Sequence, residues 1–355
     1  MSSSNLNKFE IITEFDYFIK SLFKVYVEDF NKQLNTEHVA HYIRNYIKKS
    51  NKNPCKVFHQ LLQHKHKNHF TSLIGFFYRY GIGTKIDLKL AFELCAQAAS
   101  DEIDFNIENP YALESLESFR RCNHEIGLIS LGLMYLNGKG VEKNSEKAFQ
   151  IFSKSAEEGS SKALSCEGYM YCNGVGTKKD EAKALEKDLE SAMLGNPLGQ
   201  FNLGYDYFNG KGTSKDEATG FKWYLNSANE GNIKAQDMVG DCYNNGQGVP
   251  QDAQKAFEFY MKSAIAGSGE AQCDVAYCYY SGSGTAKDDK SAFRWYLKSA
   301  ENGYPFGQLQ VGKCLKYAIG TKRDYIGAVY WLKKALEGGE NDADALLTGI
   351  TERII

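Results

Sequence analysis

The stretch "YYSGSGTAKDDKSAFRWYLKSAENG", Tyr279–Gly303, decides how this chain is read. Its Gly282 and Gly284, followed by Thr285 and Lys287, have the look of a loop that cradles a phosphate. A Walker A loop, however, needs four residues between its first glycine and a Gly-Lys pair, and then Ser or Thr. The nearest approach, from Gly204 to the "GKG" at Gly210, leaves five residues and puts Gly212 where the hydroxyl belongs. No alternating strand pattern precedes any glycine pair, so the dinucleotide fingerprint fails too.

The pair also recurs. It is "GIG" at Gly81, "GKG" at Gly138, "GVG" at Gly174, "GKG" at Gly210, "GQG" at Gly246, "GSG" at Gly282 and a degenerate "AIG" at Ala318. From 138 to 318 the anchors stand 36 residues apart, and the interval from 81 to 138 is 57, one period plus a 21-residue insertion. A period held over consecutive intervals marks a structural repeat, and the glycines are the turn between two antiparallel helices.

Each unit carries the signs of such a pair. Six positions before the first glycine stands a small residue: Gly75, Gly132, Gly168, Gly204, Gly240, Ala276 and Gly312. It lets a neighbouring helix approach closely. Three before it is Tyr78, Tyr135, Tyr171, Tyr207, Tyr243 or Tyr279, read as the buried aromatic, with Leu315 in the last copy. Six after it, Asn144, Asp180, Asp216, Asp252, Asp288 and Asp324 are placed to cap a second helix. That helix carries Ala148, Ala184, Ala256, Ala292 or Ala328 (Gly220 once), then Phe149, Phe221, Phe257 or Phe293, and Trp223, Trp295 or Trp331. This spacing makes one apolar stripe. The copy at 181–194 departs from it, with Lys187 and Asp188 where others put aromatics.

The combination, seen in "GQFNLGYDYFNGKGTSKDEATGFKWYLNSANEG" at 199–231, resembles the Sel-1-like repeat, a relative of the tetratricopeptide repeat. The resemblance covers about 67 to 339. It implies an all-α fold, an α-solenoid of antiparallel helix pairs with a right-handed superhelix, without catalytic machinery. The expected organisation is an N-terminal helical cap over 1–53 and a solenoid over 54–353. Within the solenoid, the acidic insertion at 101–121 is read as a solvated loop with a short helix from Ala112. At the N-terminus, Ile11, Phe15, Phe18, Leu22 and Tyr26 fall on one helical face, read as covering the first repeat or, alternatively, as a helix for a partner or a second copy. Helices near 36–48 and 54–66 are read as a degenerate repeat.

By similarity to tetratricopeptide units, function is expected in the concave groove, which the first helix of each pair lines. The positions are Tyr169, then Phe201, Tyr205, Phe208 and Asn209, then Asp237, Asp241 and Asn245, then Tyr277 and Tyr280, and finally Lys313. Aromatic anchors with few charges suit a protein or peptide partner. The asparagines at 137, 173, 209 and 245 have a second reading, as residues that tolerate a helix end. The resemblance implies a scaffold, in kinase-linked signalling or as a regulatory subunit or activator of an enzyme complex such as a cell-wall synthase or a protein-degradation complex. There is no "HRD" or "DFG" kinase set.

Composition restricts the other classes. A formal net charge of −2 offers no electrostatic case for nucleic acid or an anionic membrane. No cofactor is expected. His59, His64, His66 and His69 match no zinc spacing. Neither a leader nor a membrane span is legible, so a cytoplasmic setting is expected, with all nine cysteines as free thiols. Cys242, Cys278 and Cys314 share one repeat position and have no partner cysteine on the second helix.

Overall fold

A computed structural model describes residues 13–33, 36–100 and 113–354, and all regular structure among them is helical. The chain forms two compact units, 1–160 and 161–355.

In the first unit, α1 (Glu14–Lys32) starts at a capping box. Thr13 Oγ1 accepts from the Asp16 amide while Asp16 accepts from the Thr13 amide at 2.7 Å. Its buried face is Phe18, Ile19, Leu22, Phe23, Tyr26 and Phe30. Ile11 of the expected stripe lies outside the described residues, and Phe15 is only half-buried. The helices α2 (Thr36–Lys49) and α3 (Pro54–Gln63) follow, and then a 3-10 turn, Lys67–Phe70. Two further pairs complete the unit: α4 (Thr71–Tyr80) with α5 (Leu88–Ala98), and α6 (Leu113–Asn137) with α7 (Ser145–Glu157).

The helix expected from Ala112 in the insertion is present but longer than read. The first twelve residues of the insertion, 101–112, lie outside the described residues, but from Leu113 the chain runs without a break into α6. There Phe119 packs against Phe23 at 5.7 Å and Phe70 at 6.0 Å between ring centroids. The physical reason is apolar area: one ring extends the helix far enough to close over α1.

The second unit repeats one arrangement. First helices are α8 (Ser161–Asn173), α10 (Pro197–Asn209), α12 (Ile233–Asn245), α14 (Gly269–Ser281) and α16 (Pro305–Tyr317). Second helices are α9 (Glu181–Met193), α11 (Glu217–Asn229), α13 (Ala253–Ala266), α15 (Asp289–Glu301) and α17 (Tyr325–Glu337), and α18 (Asp342–Ile354) closes the stack. The predicted caps are all made, with Asp180, Asp216, Asp252, Asp288 and Asp324 each accepting a backbone amide of the first turn at 3.0–3.1 Å. The turn glycines Gly210, Gly246 and Gly282 end the first helices with φ of 70°, 70° and 78°. Ala318 holds the same left-handed angle at φ 61°.

The tyrosine expected as the buried ring holds that place in only some copies. Tyr171, Tyr207 and Tyr279 are half-buried, whereas Tyr135, Tyr243 and Leu315 of the same register are buried. The enclosed ring comes fourteen residues after the first glycine, at Tyr224, Tyr260 and Tyr296, with Phe152 and Leu332 at that position in other copies. It lies on the small residue of the first helix: a Cβ on Gly204 would stand 2.7 Å from Tyr224 Cδ1, and one on Gly240 2.6 Å from Tyr260. Buried serines add a repeated tie. Ser191 Oγ donates to the Ser161 carbonyl at 2.6 Å, and Ser299 Oγ to the Gly269 carbonyl at 2.7 Å.

Candidate protein-binding face

First helices of neighbouring pairs touch one another at α8 with α10, α14 with α16 and α16 with α18. Five residues before each turn, the first helices carry Tyr169, Tyr205, Asp241, Tyr277 and Lys313 in succession. The tyrosines are exposed, at 42%, 43% and 58%. A ring that a core required would be enclosed, as Tyr224 is. Asp241 and Lys313 are half-buried.

The other predicted residues divide. Tyr280 is exposed and has Lys287 Nζ 5.4 Å from its ring centroid. Phe201 and Phe208 sandwich Tyr224 at 5.5 and 5.7 Å and are half-buried, so they belong as much to packing as to the surface. The asparagines close their own helices: Asn137, Asn173 and Asn209 each donate to the carbonyl four residues earlier at 2.8 Å. Asn245 accepts from Asn244 at 3.2 Å.

The carboxylates have the least ordinary environment. Tyr260 donates to Asp241 Oδ1 at 2.7 Å, and Ser268 donates to Asp237 Oδ2 at 2.9 Å. Asp237 Oδ1 is buried and has no hydrogen-bond partner in the protein. Burial pushes Asp237 up to about 7 and raises Asp241. Asp274 on α14, which the sequence reading passed over, is pushed up to about 8, first by burial and then by Asp237, Asp241 and Glu270. It stands eight residues before its turn, one step off the register read for the face, so its meeting with α12 is visible only once the helices are packed.

A second polar cluster lies deeper, between α8, α9 and α10. Asp188 takes the place of the enclosed ring and accepts from Asn202 Nδ2 at 2.9 Å. Asp206, a further residue missed from sequence, stands where other copies have Cys242, Cys278 or Cys314. Burial drives Asp188 well above the usual carboxylate range and Asp206 to about 7.

Neither cluster is arranged for metal, since among the described residues no group of three or more His, Cys, Asp or Glu could hold an ion. Two of the four histidines that match no zinc spacing have enclosed surroundings. His64 Nε2 lies 2.8 Å from Asp16 Oδ1, and burial lowers His69 to about 4. All nine cysteines are free thiols. Burial pushes Cys242, Cys273 and Cys314 up to about 12, which keeps them protonated and poor nucleophiles. Among the described residues, no helix is long and apolar enough to cross a membrane.

Comparison with known proteins agrees with this geometry. The Sel1 repeat model matches residues 72–101, 126–160, 164–186, 197–232, 233–268, 269–304 and 305–340. No curated protein matches the chain. Among solved structures, the chain is similar to a protective antigen of uropathogenic Escherichia coli displaying an SLR fold. The TM-score is 0.56 at 26% identity, over 82% of this chain and 59% of that one. The chain thus spans about three fifths of the antigen's length. It is also similar to a Sel1 repeat protein from Oxalobacter formigenes, with TM-score 0.56 at 28% identity, over 60% of this chain and 88% of that one.

Proposed function

This chain belongs to the Sel1 repeat family, whose members are in general protein-interaction scaffolds, and from that premise we propose that it is a non-catalytic adaptor. It holds a protein or peptide segment against the first-helix face of 161–355. The observation that carries this is the register of Tyr169, Tyr205 and Tyr277: three exposed rings at one repeat position, each beside a helix pair whose packing is already completed by other residues. Amphipathic rings with two side-chain torsions give large contact area at small entropic cost, which is why they dominate interface hot spots. A protein partner, rather than nucleic acid or a membrane surface, fits a face of tyrosines and carboxylates. A reducing, cytoplasmic setting fits nine free thiols. Kinase-linked signalling and service to an enzyme complex differ in the partner, and its identity separates them.

The test is site-specific photo-crosslinking in the native cell. A crosslinking residue at 205 or 277 should trap a discrete partner, whereas the same residue at the exposed positions of Lys222 on α11 and Glu258 on α13 should not. Crosslinks from the second helices alone would move the binding face to the other side of the stack.

A further inference from the structure

Resting on the reading of the first-helix face as a protein-binding surface, we propose that its α12–α14 section selects partners by a cationic side chain, an arginine or lysine presented by the bound segment. The argument is one of charge complementarity on a face that already carries aromatic anchors. Asp237 and Asp241 project from α12, Glu270 and Asp274 from α14, and Asp274 senses all three of the others. Among the described residues none of the four makes an ion pair, although lysines elsewhere in the unit pair readily with Glu167, Glu181 and Glu217. The packing does not ask for these acids. The position of Asp237 is occupied by Phe201 in the preceding pair and by Leu309 two pairs later, and that of Asp274 by Met238. Like charges gathered in a partly desolvated place raise one another's protonation and destabilise the fold, which leaves a positive ligand as the missing complement. The buried, unpartnered Oδ1 of Asp237 is an open acceptor in the same place.

The occupant is a side chain and not a bare metal ion. Asp237 and Asp241 each turn one oxygen to a hydroxyl, Ser268 or Tyr260, so the oxygens do not converge as a coordination shell. On either side, α10 and α14 put Tyr205 and Tyr277 at the register of Asp241, offering ring faces to a guanidinium or ammonium and its methylene stem.

Fluorescence anisotropy of the full chain at about pH 9, above the raised carboxyls of Asp237 and Asp274, tests this with fluorescein-labelled peptides of alternating Tyr-Gly-Arg-Ser, and analogues with Lys, Gln or Glu replacing Arg. The Arg and Lys peptides should bind at least about tenfold tighter than the Gln peptide, the scale of one charge-assisted hydrogen bond, and the Glu peptide weakest. In the Asp241→Asn/Asp274→Asn double variant the preference for Arg over Gln should fall to about twofold or less, with an unchanged or higher Tm showing that the fold is intact. Equal binding of Arg and Gln peptides to the wild-type chain, no binding of either, or a preference that survives in the double variant overturns the proposal. If Arg and Gln peptides bind equally and Tyr205→Ala weakens both, the cation is wrong and the adaptor face stands. If Tyr205→Ala and Tyr277→Ala weaken neither, the adaptor face falls as well.

Discussion

Fourteen residues after the first turn glycine, the α8–α9 pair carries Asp188, and the next two pairs carry Tyr224 and Tyr260. The glycine opposite is the same in all three. A Cβ on Gly168 would lie 2.8 Å from the Asp188 carboxylate, much as one on Gly204 would lie 2.7 Å from the Tyr224 ring. Around Tyr224 stand Phe201 and Phe208; around Asp188 the corresponding residues are Ser165 and Cys172. Three rings have been exchanged together for small polar groups, and the helix pair survives. The close approach set by glycine defines the pair, while the filling can be a ring held by dispersion or a carboxyl held by Asn202. What changes is the sensitivity of each region to volume and to protons.

The largest effect should appear on the aromatic side. Tyr224→Ala leaves a cavity among Phe201, Phe208 and Gly204, and it should lower stability by about 3–5 kcal/mol in urea denaturation. A loss under about 1 kcal/mol, smaller than a typical core truncation, would break the comparison by showing that the ring is not what holds the pair.

A shift with pH should sharpen it. Asp206 and Asp237 at about 7 and Asp274 at about 8 are raised above an unfolded value of about 3.9, so the folded state binds more protons. Stability from these groups is complete below about 4 and declines as pH rises through 7 to 8. His69, lowered to about 4, acts in the opposite direction only between about 4 and 6.5, where the unfolded chain holds the extra proton. Calorimetry should therefore give a lower Tm at pH 8 than at pH 6.5, and a flat or rising Tm over that interval contradicts the assignment.

Next in size is Asp188→Leu, which installs the residue that Leu332 supplies in the last pair. Removing a buried carboxyl should stabilise the chain by about 1 kcal/mol at pH 8, after the loss of the Asn202 hydrogen bond. The gain should shrink at pH 5, where the wild-type carboxyl is protonated in both states to a greater degree. A variant less stable than wild type at pH 8 would show that the polar filling is the better one there.

The smallest is Ala318→Gly. Ala318 holds φ 61° where every other copy has glycine. Relief of that crowding, less the greater unfolded-state entropy of glycine, should add about 0.5 kcal/mol, seen as a small rise in Tm.

The sequence displayed the helix pairs, the turns and the caps because each depends on residues close in the chain: a glycine at positive φ, an aspartate three residues from the amide it binds. It did not distinguish Tyr224 from its near neighbours Phe221 and Trp223, since all three large rings satisfy an apolar stripe. Phe221 and Tyr224 are both buried, and it is Tyr224 that lies on Gly204 of the neighbouring helix. The carboxylate cluster was half legible for a similar reason. Asp237 and Asp241 share a helix and a register, but Asp274 joins them across two helices, and no local pattern records that distance. The insertion hid its anchor because one aromatic, Phe119, in a run of acids and arginines gives no periodic signal.

The two loops of each repeat differ in their tolerance for change, and this bears on how such a chain can grow. In the turn between first and second helix, the second glycine is pressed against the preceding second helix: a side chain on Gly212 would strike the Glu181 carbonyl, one on Gly248 that of Glu217, and one on Gly284 that of Ala253. The loop at the other end has room. A methyl group on Gly159, Gly195, Gly303 or Gly339 would meet nothing within 4 Å, although their φ of 78–96° still favours glycine itself. The 21 extra residues of this chain enter through the second kind, following α5 and preceding α6. A tag, a foreign epitope or a whole domain grafted after 195 or 303 should ride on the array without disturbing it, whereas one residue added at 211 should jam it.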